Sequence, residues 1–565
     1  MSMSPRSWPE PSPEIAAAVR KIYARREPPL AVAVRDQLPE VFPDAEFSQA
    51  FGTRGRPAFS PGLLALVTVL QMAENLTDRQ AADAARKDLT WKYALGLGLA
   101  DEGFDASVLS EFRTRVVEHG LEEKALDLLL AALKDKGLVK AGGKQRTDST
   151  HVISAVRDLN RLELAGESVR AVVEALAVAA PGWLATAVDI GSWSRRYAAR
   201  IDSWRLPTTA AKRDELAVAY GTDAVTLLEA ICHADAPLWL RELPAVQVLR
   251  IVVLQNYLVT DTPHGREVRR READKDGLPP ARLRLGSPYD TDARWAAKGD
   301  DLFWFGYKIH LSESCDDDGG DNHAPNLVTN VATTDATVAD ASMTEPIHQA
   351  LAGRQLAPGE HYVDSGYPSA ALVASSLKDF DTVLVSPLLG DCSPQARAGA
   401  GYDRSAFAID FEQQHALCPQ GRTSSSWSPC TQRGTGAVVI KFAKTVCRPC
   451  PVRDQCTTSK AGYRQLTVLP RQLHELQQAG RLTQATRDWQ HEYRRRAGVE
   501  GTIRQAIAVT GTRRARYRGL ARTHLEHVYS AIALNMIRLH AWWNGHPLDR
   551  TRATHLARLE LALAA

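Results

Sequence analysis

The order of apolar and polar positions changes several times along this chain and divides it into helical and strand-like stretches. From Pro13 to about Lys136, apolar residues return every three or four positions, which predicts amphipathic helices. Pro61 opens one apolar stretch, and Thr77 and Asp78 cap the next, so we expect two helices joined by a short turn. This pair fits either a helix-turn-helix or an ordinary helical hairpin.

A different pattern begins at residue 144, where β-branched residues and polar/apolar alternation predict a strand over 144–154. A second helical stretch then runs from about Arg157 to Leu258 and ends in a charged linker. Four more strand-like segments follow, at 303–314, 326–334, 361–367 and 381–388. Short helical segments separate the second strand from the third and the third from the fourth. This alternation predicts a mixed α/β sheet that is split by a helical insertion.

The net charge conceals a strongly basic segment. The whole chain carries 69 Lys and Arg against 66 Asp and Glu, a net charge of +3. This excludes a uniformly basic histone-like protein and a disordered acidic one. Between Arg487 and Arg522, however, ten arginines and three acids give +7, which leaves −4 for the remainder. Arginine forks bind phosphate in two-point fashion, so this segment predicts contact with a nucleic-acid backbone.

Neither a membrane span nor a secretory signal is visible. No apolar run reaches the roughly 18 to 20 residues that a membrane helix needs. The first residues, MSMSPRSWPEPSPE, lack the apolar core of a signal peptide. We therefore expect a cytoplasmic protein that makes no use of the membrane and is associated with the nucleoid.

Four of the eight cysteines are clustered, at Cys418, Cys447, Cys450 and Cys456. Two cysteines separated by two residues can hold one Zn²⁺ from a tight loop, and two further thiolates would complete a tetrahedral site. The clustered set therefore predicts structural zinc. Two alternatives stay open: four buried, reduced thiols without metal, or Cys430 as a ligand in place of Cys418.

Three acidic residues are candidates for chemistry. Asp148 lies in RTDST on the first predicted strand, Asp364 in HYVDSGY at a strand end, and Glu500 in a helix-like segment. Carboxylates at strand ends face the crevice in which α/β sheets usually place their sites, although a single Asp there is more often a cap. Around Glu500, Tyr493, Arg496 and Arg504 recur at the spacing of one helix face.

These motifs resemble those of bacterial insertion-sequence DDE transposases. The pattern Tyr493-x-x-Arg496-x-x-x-Glu500 resembles the signature around the family's final glutamate, RTDSTHV its first-aspartate segment, and YVDSGYPSAAL its second. The similarity extends from about residue 50 to 540. It is greatest to the eleven-eighty-two type, which has a long helical block after the first aspartate and a cysteine module before the glutamate.

The resemblance implies an α/β fold with an RNase H-like core, in which Asp148, Asp364 and Glu500 hold two Mg²⁺ or Mn²⁺ ions. It implies a DNA transposase that binds terminal inverted repeats, cleaves DNA and transfers a strand, acting as a homodimer on paired ends. Its partners are double-stranded DNA at the transposon ends and at the target. Tyr493 and Arg496 are implied to contact phosphate near the cut, and the further DNA-binding residues that we predict are Arg504, Arg513, Arg514, Arg516 and Arg518.

One departure concerns the position seven residues after the glutamate. Related transposases often carry Lys or Arg there, whereas this chain has Ile507. Either Arg504 supplies that cation or no residue does. Two other functions stay open: a catalytically silent DNA-binding protein derived from a transposase, and an RNase H-like nuclease that does not join strands.

The patterns and the resemblance together predict eight segments. They are a disordered N-terminus (1–13), a helical N-terminal DNA-binding domain (14–140), the first part of the RNase H-like core (141–156), a helical insertion (157–285), the second part of the core (286–390), a cysteine-rich, zinc-ribbon-like insertion (391–466), the C-terminal part of the core with the glutamate helix and Arg-rich helices (467–545), and a tail (546–565).

Overall fold

The structure is a computed structural model that describes residues 3–38, 40–55, 57–263, 265–316, 324–432 and 434–546. Its N-terminal part is helical, and several helix starts follow from their caps. Ser12 and Ser60 each accept a backbone N–H ahead of a proline at the first helical position, and Thr77 forms a capping box with Gln80. The helices are α1 (Pro13–Ile22), α2 (Leu30–Gln37), α3 (Pro61–Ala73), α4 (Asp78–Lys87), α5 (Leu89–Leu95), α6 (Ser107–Glu118) and α7 (Lys124–Asp135).

Residues 3–12, for which composition predicted disorder, lie against these helices. The backbone N–H of Trp8 donates to Glu40, and its indole Nε1 donates to the carbonyl of Ala94 at 2.9 Å. The guanidinium of Arg35 lies over the same ring, 4.3 Å from its centroid. The segment is therefore held by an aromatic anchor that its Pro- and Ser-rich composition does not indicate.

The first strand and a second helical unit come next. Strand β1 (Lys144–Ile153) leads into α8 (Arg161–Ala179), α9 (Pro181–Ala187), α10 (Ile190–Tyr197), α11 (Ala210–Cys232) and α12 (Pro244–Asn256). The predicted charged linker instead contains a hairpin of β2 (Tyr257–Thr262) and β3 (Gly265–Arg270), followed by α13 (Ala273–Asp276). These helices and the hairpin bury an apolar cluster of their own.

The central sheet continues with β4 (Arg294–Lys298), β5 (Leu302–Ser314), β6 (Val328–Asp335), α14 (Thr344–Gly353), β7 (Glu360–Val363), α15 (Ala370–Phe380) and β8 (Val383–Val385). Strand β5 runs antiparallel to β1, β4 and β6, whereas β7 pairs parallel with β1 and β8 parallel with β7. The mixed α/β sheet that we predicted is thus confirmed. Its assignment as RNase H-like stays a prediction.

The cysteine-rich region forms small sheets with a separate apolar cluster. It contains α16 (Pro394–Ala398), β9 (Ala408–Asp410), β10 (His415–Leu417), β11 (Ser426–Gln432), β12 (Thr435–Lys441), α17 (Lys444–Cys447), α18 (Arg453–Cys456) and β13 (Gln465–Val468). The chain ends in helices α19 (Arg471–Thr483), α20 (Arg487–Tyr493), α21 (Gly498–Thr510) and α22 (Leu520–Trp543). The predicted tail lies outside the described residues except for His546.

Helix α22 joins the N-terminal helices to the sheet. Most of its side chains are buried, and they belong to one continuous apolar cluster that also contains residues of α3, α7, β5 and β6. At its centre, Asn535 exchanges two hydrogen bonds with the backbone of Val328 on β6. The helical N-terminal part and the sheet therefore share a core. Within the described residues, no helix is both long and apolar enough to span a membrane.

Candidate active site

The register of the sheet brings two of the predicted acids together. The parallel pairing of β1 with β7 ends at Thr147 opposite Val363, so the next residues, Asp148 and Asp364, are neighbours where the two strands part. Asp364 is fixed by its own turn, because its Oδ1 accepts the N–H of Gly366 at 2.8 Å and its carbonyl accepts the Ser386 hydroxyl at 3.0 Å. The tight turn thus fixes Asp364 at the strand end next to Asp148.

Asp148 is almost buried, with 9% of the residue exposed. Burial raises the pKa of its carboxyl to about 6, the nearby Asp364 adds to this shift, and Arg496 and the N–H of Ser149 oppose it. The electrostatic influence of Asp364 on Asp148 agrees with their placement by the sheet. Two carboxylates in this arrangement favour a bound cation.

Glu500 completes the group through Arg496. It lies in the first turn of α21, and its carboxylate Oε1 accepts a hydrogen bond from Nη1 of Arg496 at 2.7 Å. The Nη2 of the same guanidinium donates to Oδ2 of Asp148 at 2.6 Å. Arg496 therefore bridges Asp148 and Glu500, the first and last predicted acids. Asp364, the remaining predicted acid, lies beside Asp148.

The helix that carries Glu500 differs from the one expected. The spacing of Tyr493, Arg496, Glu500 and Arg504 indicated one face of a single helix, but a 3₁₀ turn over Arg494–Ala497 separates α20 from α21. Where α21 begins, Gly498 packs closely against Arg146, since a Cβ there would collide with its guanidinium. The 3₁₀ turn places Arg496 between the two acids.

Tyr493, for which we predicted a phosphate contact, has a partner inside the protein. Its hydroxyl donates to the carbonyl of Val363 at 3.1 Å, and its ring stacks on Trp489 with centroids 4.8 Å apart. Val363 directly precedes Asp364. Tyr493 therefore also fixes the end of the strand that carries the second acid.

The other predicted DNA-binding arginines fall into two sets, those with partners inside the protein and those without. Arg513 donates to the hydroxyl of Thr150 and the carbonyl of His151, and Arg516 donates to the carbonyl of Leu76 at 2.6 Å in the turn between α3 and α4. The remaining three are exposed and have no side-chain partner in the part of the chain that the structure describes; they are Arg504, Arg514 and Arg518. Residues 511–519, which we call the arginine loop, thus connect β1 to the N-terminal helices.

The sequence analysis missed Asp340, an acid close to the second aspartate. Its Oδ1 pairs with Nζ of Lys308 at 3.0 Å and its Oδ2 accepts the Ser149 hydroxyl at 3.1 Å. A Cβ on Gly366 would lie 3.4 Å from Asp340 Oδ2 and 3.0 Å from Asp364 Oδ1, so the turn packs between the two carboxylates. Asp340 stands in no recognisable motif, since an acid shortly before a helix usually indicates a cap.

The four clustered cysteines meet at one place. Cys418, Cys447, Cys450 and Cys456 line a single cavity of about 40 Å³, and Cys430, on β11, does not line it. Within the described ranges, however, no three His, Cys, Asp or Glu side chains are arranged closely enough to hold a metal ion. This applies both to the cysteines and to the three acids, so neither predicted metal is identified by the geometry.

Two family models match the chain. One, described as "Transposase DDE domain", matches residues 417–540, which include Glu500, the arginine loop and part of the cysteine-rich region. The other, described as "Transposase domain (DUF772)", matches residues 25–115 of the helical N-terminal part. No curated protein and no solved structure matches the chain.

Proposed function

The two matched domains indicate an insertion-sequence DDE transposase, and from this premise we propose that the protein binds the terminal inverted repeats of its element, cleaves DNA at their ends and transfers a strand to target DNA. The observation that carries the proposal is the gathering of Asp148, Asp364 and Glu500 around Arg496.

DDE transposases generally use a divalent metal ion, and we propose that the three carboxylates hold Mg²⁺ or Mn²⁺ here. Their chemistry fits, because these ions prefer carboxylate oxygens, and the guanidinium between Asp148 and Glu500 marks a point where a cation is already favoured. When bound, two such ions activate the attacking oxygen and stabilise the leaving oxygen of a phosphodiester.

The residues of the chain would hold the DNA in place for this reaction. Arg496 keeps three of its five N–H donors beyond the hydrogen bonds to Asp148 and Glu500, among them a buried Nε–H without a partner among the described residues, and we propose that this guanidinium donates to a phosphate oxygen. The exposed Arg504, Arg514 and Arg518, on α21 and the arginine loop, supply further positive charge for the DNA backbone. Arg504 would thereby take the role of the cation that related proteins carry at the position of Ile507.

We also propose that the N-terminal helices bind the end sequence and that two protomers pair the ends. Support for the first point comes from the arginine loop, because Arg516 bonds to the turn between α3 and α4. DNA bound along these helices would therefore lie in a fixed relation to the three acids. Strand transfer needs both ends of one element together, which is the reason for expecting a homodimer.

A decisive experiment would incubate the full chain with Mg²⁺ and a plasmid that carries the DNA flanks of its own gene, and would map the cut ends. Cleavage at the ends with joined products in an added target plasmid is the expected result. Cleavage without joining would favour a nuclease, and binding without cleavage a silent DNA-binding protein.

We propose in addition that Cys418, Cys447, Cys450 and Cys456 bind one structural Zn²⁺. The four thiols line one largely apolar cavity, which suits a closed four-thiolate site, and metal would draw them together. Metal analysis of purified protein should find about one Zn²⁺ per chain. Cys450→Ser should lose it, whereas Cys392→Ser, an exposed cysteine away from the cavity, should keep it. A folded, active, zinc-free protein would contradict this assignment.

A further inference from the structure

We propose that a buried cluster of four residues, Arg146, Glu313, Thr502 and Arg538, positions the helix of Glu500 against the strand of Asp148. We call it the Glu313 cluster. The inference rests on the proposed function, because it assigns these residues to the placement of the proposed metal-binding acids. None of the four touches the reacting atoms, so each is a positioning residue.

The cluster is centred on Glu313 of β5, which is fully buried. Its Oε1 accepts Nε of Arg146 at 2.7 Å, and its Oε2 accepts Nη1 of Arg538 at 2.7 Å and the hydroxyl of Thr502 at 2.5 Å. Arg538 also donates from Nη2 to the Thr502 hydroxyl at 2.6 Å. One carboxylate thus ties together β1, β5, α21 and α22.

The charges make this arrangement specific. Although burial favours the neutral form, Arg538 and Arg146 hold the pKa of Glu313 below its ordinary value, so it is ionised. Two guanidiniums share this single carboxylate, with 11% of the Arg146 side chain and 10% of the Arg538 side chain exposed. Buried ion pairs contribute little net stability but can select one arrangement of the elements that they join.

The cluster reaches the acids from both sides. Arg146 lies two residues before Asp148, on the same face of β1, since side chains alternate along a strand. Thr502 lies two residues after Glu500, and a step of two residues in a helix turns the side chain to the opposite side. Thr502 is therefore buried while Glu500 faces outward.

Arg146 provides a second connection. Its Nη1 donates to the carbonyl of Arg495 at 2.7 Å, in the 3₁₀ turn that holds Arg496. The same guanidinium fills the space where a Cβ of Gly498 would lie. The position of one side chain on the first strand thus sets the start of the glutamate helix and the path of the bridging arginine.

Two matched pairs of variants test the cluster. Thr502→Val removes a hydroxyl from it at nearly constant shape, and Thr510→Val removes one from the same helix, where it bonds to Ala506 and Thr512 instead. Gly498→Ala forces Arg146 to move, whereas Gly182→Ala, at an exposed position of α9, adds a methyl group that meets no atom of another element within 4 Å. Neither control residue touches the cluster or the acids.

Each full-length variant would be titrated with Mn²⁺ and followed by electron paramagnetic resonance, then assayed for end cleavage with thermal unfolding recorded in parallel. We expect Thr502→Val and Gly498→Ala to bind Mn²⁺ about 10-fold more weakly and to cleave about 10- to 100-fold more slowly. The Michaelis constant for DNA should stay within about twofold, and both controls should match wild type, because neither reaches the acids.

The inference is overturned if each variant and its control change alike, or if Thr502→Val binds Mn²⁺ as wild type does. Because Mn²⁺ binding is measured without DNA, these outcomes can be read even from a protein that cleaves nothing. Absence of cleavage by wild type would instead contradict the proposed function, and normal cleavage by Thr502→Val would contradict only the role of the cluster.

Discussion

Two regions of this molecule are rich in arginine, and they use it differently. On the β2–β3 hairpin, Arg266, Arg269 and Arg270 are each paired with acidic side chains. The partners are Glu229 and Asp261 for Arg266, Asp276 for Arg269, and Asp214 for Arg270. In the arginine loop and α21, by contrast, Arg504, Arg514 and Arg518 have no such partner in the described structure, and Arg513 and Arg516 bond mainly to backbone carbonyls.

Local composition alone does not identify a phosphate-binding surface. Both regions are rich in arginine when read along the chain, but acids on α11, β2 and α13 offset the charge of the hairpin. On α21 and the arginine loop, positive charge is left available. The distinction depends on where the acids of the fold lie, and variants in both regions test it.

The largest effect is expected at the three acids of the proposed active site. Asp364→Asn keeps the shape of the turn but removes a charge that the proposed metal ions need, so cleavage should fall by about 10⁴-fold or more, while binding of end DNA is retained. The measurement is nicking of an end-bearing plasmid with Mg²⁺, alongside a gel-shift assay. Wild-type nicking by the variant would remove Asp364 from the site.

Asp381→Asn is the matched control, since it is the same substitution 17 residues further on. Asp381 is exposed and has a positive φ of 51°, a conformation that Asn also tolerates well. Its cleavage rate should equal that of wild type.

A smaller loss is expected for Arg496→Gln. Without the guanidinium, Asp148 and Glu500 lose their common partner, and the DNA phosphate that we propose at this site would lose a donor. Cleavage should fall by about 100-fold, with end-DNA affinity reduced far less. The contrasting variant is Arg269→Gln on the hairpin, whose arginine is already paired with Asp276. Equal effects of the two substitutions would contradict the distinction between the two regions.

The exposed arginines should change affinity rather than chemistry. Arg514→Ala and Arg518→Ala should each weaken DNA binding similarly for all sequences and reduce the slope of log K against log salt by about 1. Fluorescence anisotropy at several salt concentrations measures both effects. Arg266→Ala and Arg270→Ala should leave the slope unchanged, because their charges are already neutralised. A loss of slope from the hairpin variants would place DNA there instead.

Much of the fold could be predicted because its signals are local. Strand alternation placed β1 and β5 close to their observed bounds, and capping residues placed α3 and α4. The motifs around Asp148, Asp364 and Glu500 selected acids that the fold then brings together. The spacing of the cysteines left two candidates for one zinc ligand, Cys418 and Cys430. Cys418 lines the same cavity as Cys447, Cys450 and Cys456, whereas Cys430 does not, which favours Cys418.

What the sequence did not reveal depends on contacts between distant segments. Glu313 follows a polar serine near the end of a strand and resembles a surface residue, yet β1, α21 and α22 enclose it completely. The turn between α20 and α21 contacts Arg146, which lies 349 residues before Arg495 in the chain. The carboxylate of Asp340 is held by Lys308 of β5 and Ser149 of β1, both far from it in the sequence. Such placements require the tertiary structure, since no periodic pattern encodes them.

The smallest expected effect concerns Glu526, a buried acid that accepts a backbone N–H from the arginine loop but no guanidinium among the described residues. Oε2 of Glu526 accepts the backbone N–H of Arg516 at 2.8 Å, while the guanidinium of Arg516 turns to Leu76. Burial raises the pKa of Glu526 to about 7, with Arg516 and Arg113 opposing the shift too weakly to cancel it. The folded protein therefore holds a proton that the unfolded chain releases near its ordinary pKa of 4.5.

The contribution of Glu526 to stability must accordingly fall as the pH rises from about 4.5 to about 7, and must be constant above that range. Glu526→Gln keeps an acceptor for the N–H of Arg516 and cannot ionise, so it should stabilise the protein relative to wild type by up to about 3 kcal/mol at pH 8 and by little at pH 4.5. Unfolding measured at several pH values tests this. The exposed Glu242→Gln should follow wild type throughout. If Glu526→Gln instead destabilised the protein at pH 8, Glu526 would be an ionised partner of Arg516, and the arginine loop would resemble the hairpin.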